Sequence, residues 1–221
     1  MIYAIGDIHG CLNALRSLLG QLPLKDGDEL LFLGDYIDRG PQSREVVDFI
    51  LADRKPNWRF LRGNHEQLIL DWLDGISPHA SSTWLLNGGL KTLQSYAGQT
   101  DLDEVREEDE EKLKRSILPE HIEFFNSLPF FHDTPDAYFC HAGVNLDKPL
   151  TRQSPDDLLW IRKKFILDPR PTPKLIVHGH TPAASVDVSK DRINLDTGCV
   201  YGGHLTAMSL PDRKLYQTRQ S

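Results

Sequence analysis

The sequence has no long apolar run and few cysteines, and each shortage excludes a class of protein. No run approaches the roughly 20 apolar residues that a membrane-spanning helix needs, so we expect no membrane partner. Cys11, Cys140 and Cys199 are an odd set without the spacing of a zinc site. They indicate reduced thiols rather than a disulfide framework.

Positive charge is also scarce, because 25 Lys and Arg residues face 32 Asp and Glu residues and leave a formal net charge of −7. A nucleic-acid backbone requires a basic surface, so this balance argues against a nucleic-acid partner. The chain opens on an apolar, strand-like segment rather than a signal peptide, and we therefore expect a cytoplasmic protein. No pattern in the sequence defines an oligomeric state.

Short apolar runs alternate with amphipathic segments along much of the chain. Strands are predicted at residues 2–5, 29–33, 57–61, 130–133, 137–140, 174–177, 192–195, 204–210 and 214–217. Helices are predicted at residues 11–20, 66–73, 119–128 and 156–167, and after Pro41. The early β-α-β order favours a largely parallel sheet, and the second half is richer in strands. The predicted fold class is therefore α/β, with a sandwich of two sheets flanked by helices.

A length of 221 residues suits a single domain over residues 1–221. The alternation of strands and helices stops over residues 74–128, and this segment is predicted to be a helical insertion that caps the domain. Its residues 101–111 hold eight acids and one arginine. We expect a solvated helix face there, with a docking patch for a basic partner as the alternative.

Five predicted strands run into short junctions that carry Asp, Asn or His. These junctions are Gly6-Asp7-Ile8-His9-Gly10, Gly34-Asp35-Tyr36-Ile37-Asp38-Arg39-Gly40, Gly63-Asn64-His65-Glu66, Cys140-His141 and His178-Gly179-His180. Open α/β sheets bind ligands at the carboxyl ends of their strands. The junctions therefore predict a metal site.

The residue types at these junctions indicate two ions. Asp7 and His9 are two residues apart and can meet at one ion, while the two oxygens of Asp35 can each hold one. The second ion's set is completed by Asn64, His141 and His180. Carboxylate and imidazole ligands favour Mn, Fe or Zn over Ca or Mg.

The same junctions carry groups suited to phosphate chemistry. Two ions about 3.5–4 Å apart can share a hydroxide and lower its pKa towards neutrality. Arg39 and Arg62 flank the junctions and can donate paired hydrogen bonds to the oxygens of a phosphate. His121 carries no such signal and is expected at the surface or in a loop.

The motifs GDIHG, GDYIDRG, GNHE, HAG and GHTP follow one another between residues 6 and 182, and DTGCVYGG extends the series at 196–203. In this order they resemble the signature of the phosphoprotein phosphatase family of calcineurin-like metallophosphoesterases. The stretches Trp84 to Gly89 and Trp160-Ile161-Arg162 are similar to its bacterial and phage branch. The resemblance implies the calcineurin-like fold, a central double β-sandwich flanked by helices on both sides.

The resemblance also implies a role for each matching residue. One ion would be bound by Asp7, His9 and Asp35, and the other by Asp35, Asn64, His141 and His180. The implied metal is Mn, with Fe and Zn open by ligand type. His65 would be the general acid that protonates the leaving alkoxide, and Asp38 would orient it. The phosphoryl oxygens would be held by Arg39 and Arg162, assisted by Arg62. His178 is expected in a core or supporting position, since the family uses one histidine there.

The implied function is a metal-dependent serine/threonine protein phosphatase that acts on phosphorylated proteins or peptides and possesses some phosphotyrosine activity. Its mechanism would be direct in-line attack by a hydroxide that bridges the two metals. The alternative is a symmetrical dinucleoside tetraphosphate hydrolase or another small-molecule phosphoesterase. Those hydrolases usually lack the acid before the arginine of the second motif, and their third motif ends in Asp. Here Asp38 precedes Arg39 and Glu66 ends the third motif, which favours the protein phosphatase. A binding module without catalysis is disfavoured, because the ligand set and His65 are intact.

Overall fold

The computed structural model describes residues 1–77 and 79–220 of the chain. Its strands are β1 (Ile2–Ile5), β2 (Glu29–Phe32), β3 (Trp58–Phe60), β4 (Phe131–Asp133), β5 (Ala137–Cys140), β6 (Leu175–His178), β7 (Asp187–Val188), β8 (Arg192–Asn194), β9 (Leu205–Leu210) and β10 (Lys214–Thr218). Its α-helices are α1 (Leu12–Gln21), α2 (Ser43–Asp53), α3 (Asn64–Asp74), α4 (Ala80–Trp84), α5 (Leu90–Ala97), α6 (Glu107–Lys114), α7 (Pro119–Ser127), α8 (Pro155–Trp160) and α9 (Lys163–Ile166). Within the described ranges, no helix is long and apolar enough to cross a membrane.

The strands form two mixed sheets of five strands each. The first has the order β10-β9-β1-β2-β3, in which β1, β2 and β3 are parallel, β9 is antiparallel to β1, and β10 is antiparallel to β9. The second has the order β4-β5-β6-β8-β7, with β5, β6 and β8 parallel. The predicted α/β class with two sheets is thus confirmed. Strand β9 is antiparallel to both of its neighbours, so the first sheet is mixed.

The central strands are largely apolar because both of their faces are covered. Side chains alternate between the faces of a strand, so Ala4 of β1 points into an apolar layer shared with Phe139 and Val177 of the second sheet. Tyr3 and Ile5 point the other way, into the core beneath the helices on the first sheet. A third apolar cluster joins α8 and α9 to the second sheet.

Residues 75–128 contain helices and turns but no strand within their described part. They include α4, a π-helical turn at Leu85–Gly89, α5, α6 and α7. Helix α6 buries Leu113 and leaves several of its acids exposed. Helix α7 begins with Pro119, whose missing N–H and fixed φ suit the first turn of a helix.

The predicted helix over residues 156–167 is wrong in one respect, because the helix is interrupted between α8 and α9. A continuous helix would bond the Leu158 carbonyl to the N–H of Arg162, four residues on. Instead that carbonyl accepts the N–H of Ala142 at 2.8 Å. Arg162 takes φ −132° and ψ −106°, outside the helical region. A tertiary hydrogen bond from the junction that follows β5 thus takes the place of the next helical bond of α8. The sequence pattern also missed the short edge strand β7.

His121 corrects another expectation, because it is buried on α7 rather than exposed. Its Nδ1 lies 2.6 Å from the hydroxyl of Tyr96 on α5, and its Nε2 lies 3.1 Å from Asp48 on α2. These partners come from distant parts of the chain. The histidine therefore joins the segment 75–128 to the helices of the first sheet.

Candidate active site

The predicted metal ligands all follow strands whose carboxyl ends meet at one edge of the two sheets. Asp7, Asp35 and Asn64 follow β1, β2 and β3 of the first sheet, and His141 and His180 follow β5 and β6 of the second. The six predicted ligands are buried: Asp7, His9, Asp35, Asn64, His141 and His180. The junctions are also bonded across the sheets, since His141 Nδ1 lies 2.9 Å from the carbonyl oxygen of Leu33.

One donor group gathers around Asn64. Its Oδ1 lies 2.8 Å from His180 Nδ1 and 2.9 Å from His141 Nε2. The two imidazole nitrogens are 3.1 Å apart, and His141 Nε2 is 3.4 Å from Asp35 Oδ1. Four atoms that carry lone pairs thus converge on one small volume. Such a set fits a divalent cation better than it fits mutual hydrogen bonds.

The tautomers of two histidines support this interpretation. A backbone carbonyl can only accept a hydrogen bond, so the Nδ1 atoms beside the carbonyls of Leu33 and Ile37 must carry the proton in His141 and His9. The Nε2 atom of each neutral ring then carries the lone pair that can bind a metal, and the carbonyl orients the ring as in known metal sites. In His9 this lone pair faces the Arg39 guanidinium in the structure.

A second donor group contains His9, Asp35 and His65. His9 Nε2 lies 3.4 Å from Asp35 Oδ2, whereas the opposite oxygen of Asp35 faces His141. Asp35 therefore presents one oxygen to each group, which is the arrangement predicted for a bridging ligand. Burial alone would raise the pKa of Asp35, but the charges of His141 and His65 hold it well below its usual range.

Asp7, which was predicted to share an ion with His9, is hydrogen-bonded to the junction after β6. Its carboxylate accepts the backbone N–H of His180 at 3.0 and 3.2 Å, and a Cβ on Gly179 would lie 2.0 Å from its Oδ1. Glycine is therefore required between the two histidines of His178-Gly179-His180. Burial and the neighbouring Asp196 carboxylate hold the pKa of Asp7 well above its usual range.

The charges around His141 also favour a cation at this place. Burial would lower the pKa of His141, but the Asp35 and Asp7 carboxylates outweigh burial and raise it to about 9. A positive charge is thus stabilised where the lone pairs converge, and a bound divalent ion would supply it. The donor set present in this chain fits the metal centre that its motifs imply.

His65 and Asp38 form a fully buried pair, with His65 Nδ1 2.6 Å from Asp38 Oδ2. Asp38 also accepts Trp84 Nε1–H at 2.9 Å and the hydroxyl of Thr92 at 2.6 Å. His65 Nε2 has no hydrogen-bond partner within the described residues and lies 3.9 Å from Asp35 Oδ2. The ring therefore presents Nε2 towards the bridging carboxylate. Trp84 and Thr92 were not among the predicted site residues, although Trp84 stands in the motif shared with the bacterial branch.

The three predicted phosphate-binding arginines lie in different places. Arg39 Nη1 is 2.5 Å from His9 Nε2, and its backbone N–H donates to Gly88 of the segment 75–128. Arg162 is exposed at the break between α8 and α9. The pKa of His180 is lowered to about 2, mainly by burial, then by the charge of His141 and then by the charge of Arg162. Both arginines border the donor groups.

Arg62 departs from its predicted role in this structure. Its guanidinium donates to Gln67 Oε1 at 2.9 Å and to the carbonyl of Asn126 at 2.8 Å, and it lies over the ring of Phe130. These contacts fix the side chain against α3 and the end of α7. The sequence could not show this, because the guanidinium N–H groups that a phosphate would use are bound by acceptors on α3 and α7, which meet Arg62 only in the folded chain.

His178 occupies the core position that was expected for it. Its ring is buried, lies edge-on to Phe165 at 5.3 Å between ring centroids, and belongs to neither donor group. Burial lowers the pKa of His178 to about 4.

Glu66 is a supporting residue whose role the sequence did not reveal. Its buried carboxylate accepts the backbone N–H groups of Asp35, Tyr36 and Gly63, each at 2.9 Å. It thereby joins the junction after β2 to the junction after β3. Burial and the Asp35 charge raise the pKa of Glu66 to about 7. The only sequence signal for this role is its place at the end of GNHE.

Replacing Glu66 with Gln is expected to lower Mn²⁺ affinity about 10–100-fold, the usual effect of losing a partner that orients a metal ligand. The amide NH₂ would face a backbone N–H and leave at least one donor unpaired beside Asp35. Calorimetric titration with Mn²⁺ measures the change. Glu123→Gln, on the exposed face of α7, is the matched control. Equal affinity in both variants would contradict this role.

A two-sheet α/β scaffold that gathers carboxylate, amide and imidazole donors at its strand ends is typical of metallophosphoesterases. Residues 1–208 match the calcineurin-like phosphoesterase family, and the chain therefore belongs to that family.

Comparison with individual proteins adds three relatives. A protein of Anoxybacillus flavithermus named asymmetrical bis(5'-nucleosyl)-tetraphosphatase PrpE is 29% identical over 240 residues, covering 96% of this chain and 91% of the relative. A solved structure assigned provisionally as a diadenosine tetraphosphatase superposes with a TM-score of 0.72 at 23% identity, covering 98% of this chain and 92% of the other. A serine/threonine phosphatase of Saccharomyces cerevisiae superposes with a TM-score of 0.58 at 17% identity, covering 98% and 78%. These two structures support the fold.

Proposed function

We propose that this chain hydrolyses dinucleoside tetraphosphates asymmetrically. Water would be added across one phosphoric anhydride bond, releasing a nucleoside monophosphate and a nucleoside triphosphate. The observation that carries the proposal is the buried cluster in which Asp35 presents one oxygen to each of two donor groups. The substrate is taken from the relative of Anoxybacillus flavithermus, which matches nearly the whole chain and is named for this activity.

Some residues of the cluster would bind the metal ions and others would bind the substrate phosphates. One ion would be held by Asn64, His141, His180 and Asp35, and the other by His9 and Asp35 with Asp7. Two bound divalent ions supply electrostatic stabilisation of the phosphate and an activated water. Arg39 and Arg162 would bind the negative oxygens of the polyphosphate, because guanidinium groups pair well with them.

The expected preference for phosphoproteins rested partly on Glu66. The carboxylate of Glu66 is used entirely within the protein, where it binds three backbone N–H groups. Glu66 therefore has the same structural role whichever substrate is bound. It gives no support to one substrate over another.

The Asp38–His65 pair favours a second candidate, the hydrolysis of phosphoserine or phosphothreonine in proteins. An alkoxide is a strong base and needs a proton when it leaves, whereas a nucleotide phosphate leaves readily without one. His65 is oriented by Asp38 and has Nε2 directed at the cluster, as a proton donor requires. This pair would be most valuable to an enzyme with an alkoxide leaving group.

The test compares kcat/KM for diadenosine tetraphosphate and for a phosphothreonine peptide, with Mn²⁺ supplied. We expect the dinucleotide to be preferred about tenfold or more, a difference of about 1.4 kcal/mol in transition-state stabilisation. Chromatography of the products should show ATP and AMP rather than two molecules of ADP. Two ADP would indicate symmetrical cleavage, and a preference for the peptide would support the second candidate instead.

A further inference from the structure

Two large aromatic side chains stand exposed at the rim of the metal cluster. Trp160 is 39% exposed and Tyr201 is 61% exposed. Phe131 is the other strongly exposed aromatic side chain within the described residues, and it is already stacked on Tyr138 with ring centroids 5.1 Å apart. The mechanism proposed above uses neither Trp160 nor Tyr201.

Trp160 lies beside the donor group around Asn64. Its ring meets that of His180 edge-on, with centroids 6.2 Å apart and an interplanar angle of 90°. It is the last residue of α8, so the break that follows holds it at the site together with Arg162. A flat apolar surface and a cation thus stand side by side next to one ion position.

Tyr201 lies beside the other donor group. The guanidinium carbon of Arg39 is 5.8 Å from the Tyr201 ring centroid, and Arg39 Nη1 reaches His9 Nε2. The ring is carried by a 3₁₀ turn, Cys199–Tyr201, which is flanked by Gly198 (φ 67°) and Gly202 (φ 86°). Glycine adopts the left-handed backbone at both ends of this turn without steric cost. An exposed aromatic ring next to an arginine therefore occurs beside both donor groups.

We infer that Trp160 and Tyr201 are stacking surfaces for the two nucleobases of a dinucleoside polyphosphate. The inference rests on the proposed function and identifies the part of the substrate that the metal cluster does not hold. Every nucleobase has a π-face, and stacking on an aromatic side chain is worth about 1–3 kcal/mol per base. The two donor groups meet at Asp35 and each has one ring beside it. A polyphosphate bound across the cluster would therefore direct a base towards either ring.

This arrangement separates nucleotide recognition from phosphate chemistry. The phosphates would be bound by the ions, Arg39 and Arg162, whatever their substituents. The rings would add affinity only when a base is present. Selectivity for a dinucleotide over an inorganic polyphosphate therefore measures the contribution of the rings.

The experiment determines kcat/KM for diadenosine tetraphosphate and for inorganic tetraphosphate, and compares their ratio between variants. Trp160→Leu and Tyr201→Leu are each expected to lower this ratio about tenfold, while Trp160→Phe and Tyr201→Phe retain most of it. Tyr216→Leu, on β10 of the first sheet, is the matched control. An unchanged ratio, or an equal loss on both substrates, would overturn the inference.

Binding of AMP separates this inference from the proposed function. If the wild-type protein cleaves phosphopeptides but not the dinucleotide, the proposed function fails. Calorimetry with AMP and inorganic phosphate in the presence of Mn²⁺ then decides the role of the rings. Tighter binding of AMP that is lost in Trp160→Leu or Tyr201→Leu supports the stacking surfaces. Equal affinity for AMP and phosphate excludes them.

Discussion

Replacing Asp35 with Asn is expected to lower the occupancy of both metal ions and to reduce kcat/KM by at least about 100-fold, since even outer partners of a metal site are worth about 10–100-fold. Asp35 directs one oxygen at His141 and the other at His9, each over 3.4 Å. An amide carries no negative charge, and one of its two ends is a donor that would face imidazole lone pairs. Elemental analysis of the dialysed protein measures the metal content.

The control for this substitution is Asp187→Asn, because Asp187 lies exposed on the short strand β7. Both variants make the same chemical change, so a difference in metal content isolates the position. A two-metal stoichiometry in Asp35→Asn equal to that of the control would show that Asp35 does not bridge. Loss of one ion alone would assign the carboxylate to a single ion position.

Replacing His65 with Asn is expected to reduce kcat about 10²–10⁴-fold on an alkyl phosphate, the usual range for a general acid. On p-nitrophenyl phosphate or diadenosine tetraphosphate the loss should be far smaller, because these leaving groups depart without a proton. The physical basis is the bond from His65 Nδ1 to Asp38, which leaves Nε2 directed at the cluster. Steady-state kinetics across the three substrates measures the difference.

Metal content should remain unchanged in His65→Asn if the histidine acts as an acid rather than a ligand. The point needs testing because His65 shares a donor group with His9 and Asp35. His79→Asn, with an exposed side chain at the start of α4, is the control. An equal loss on all three substrates together with loss of metal would identify His65 as a ligand instead.

The predicted metal ligands show why local sequence patterns can locate a site. Asp7, Asp35 and Asn64 each follow a short strand and a glycine, so the strand end and the polar side chain are specified within a few residues. Parallel strands bring such ends to one edge. Local patterns therefore predicted which ligands would come together, although they did not predict the bond between Asp7 and the His180 backbone.

The supporting contacts could not be predicted in the same way. Thr92 binds Asp38 across 54 positions in the chain, and Trp84 does so across 46. Glu66 selects its three N–H partners only after β2 and β3 have paired. Motifs mark the positions of Trp84 and Glu66, but nothing in the local sequence identifies the partners that these residues and Thr92 bind.

The sequence by itself determined the fold class, the positions of the central strands along the chain and the identity of the polar residues at their ends. These depend on short-range periodicity and on glycine, whose effects act over a few residues. Only the tertiary structure decided the break after α8, the direction of Arg62 and the position of Trp160 and Tyr201 at the rim. Those outcomes depend on contacts with other helices and loops, such as Asn126 with Arg62 and Ala142 with Leu158, which form only in the folded chain.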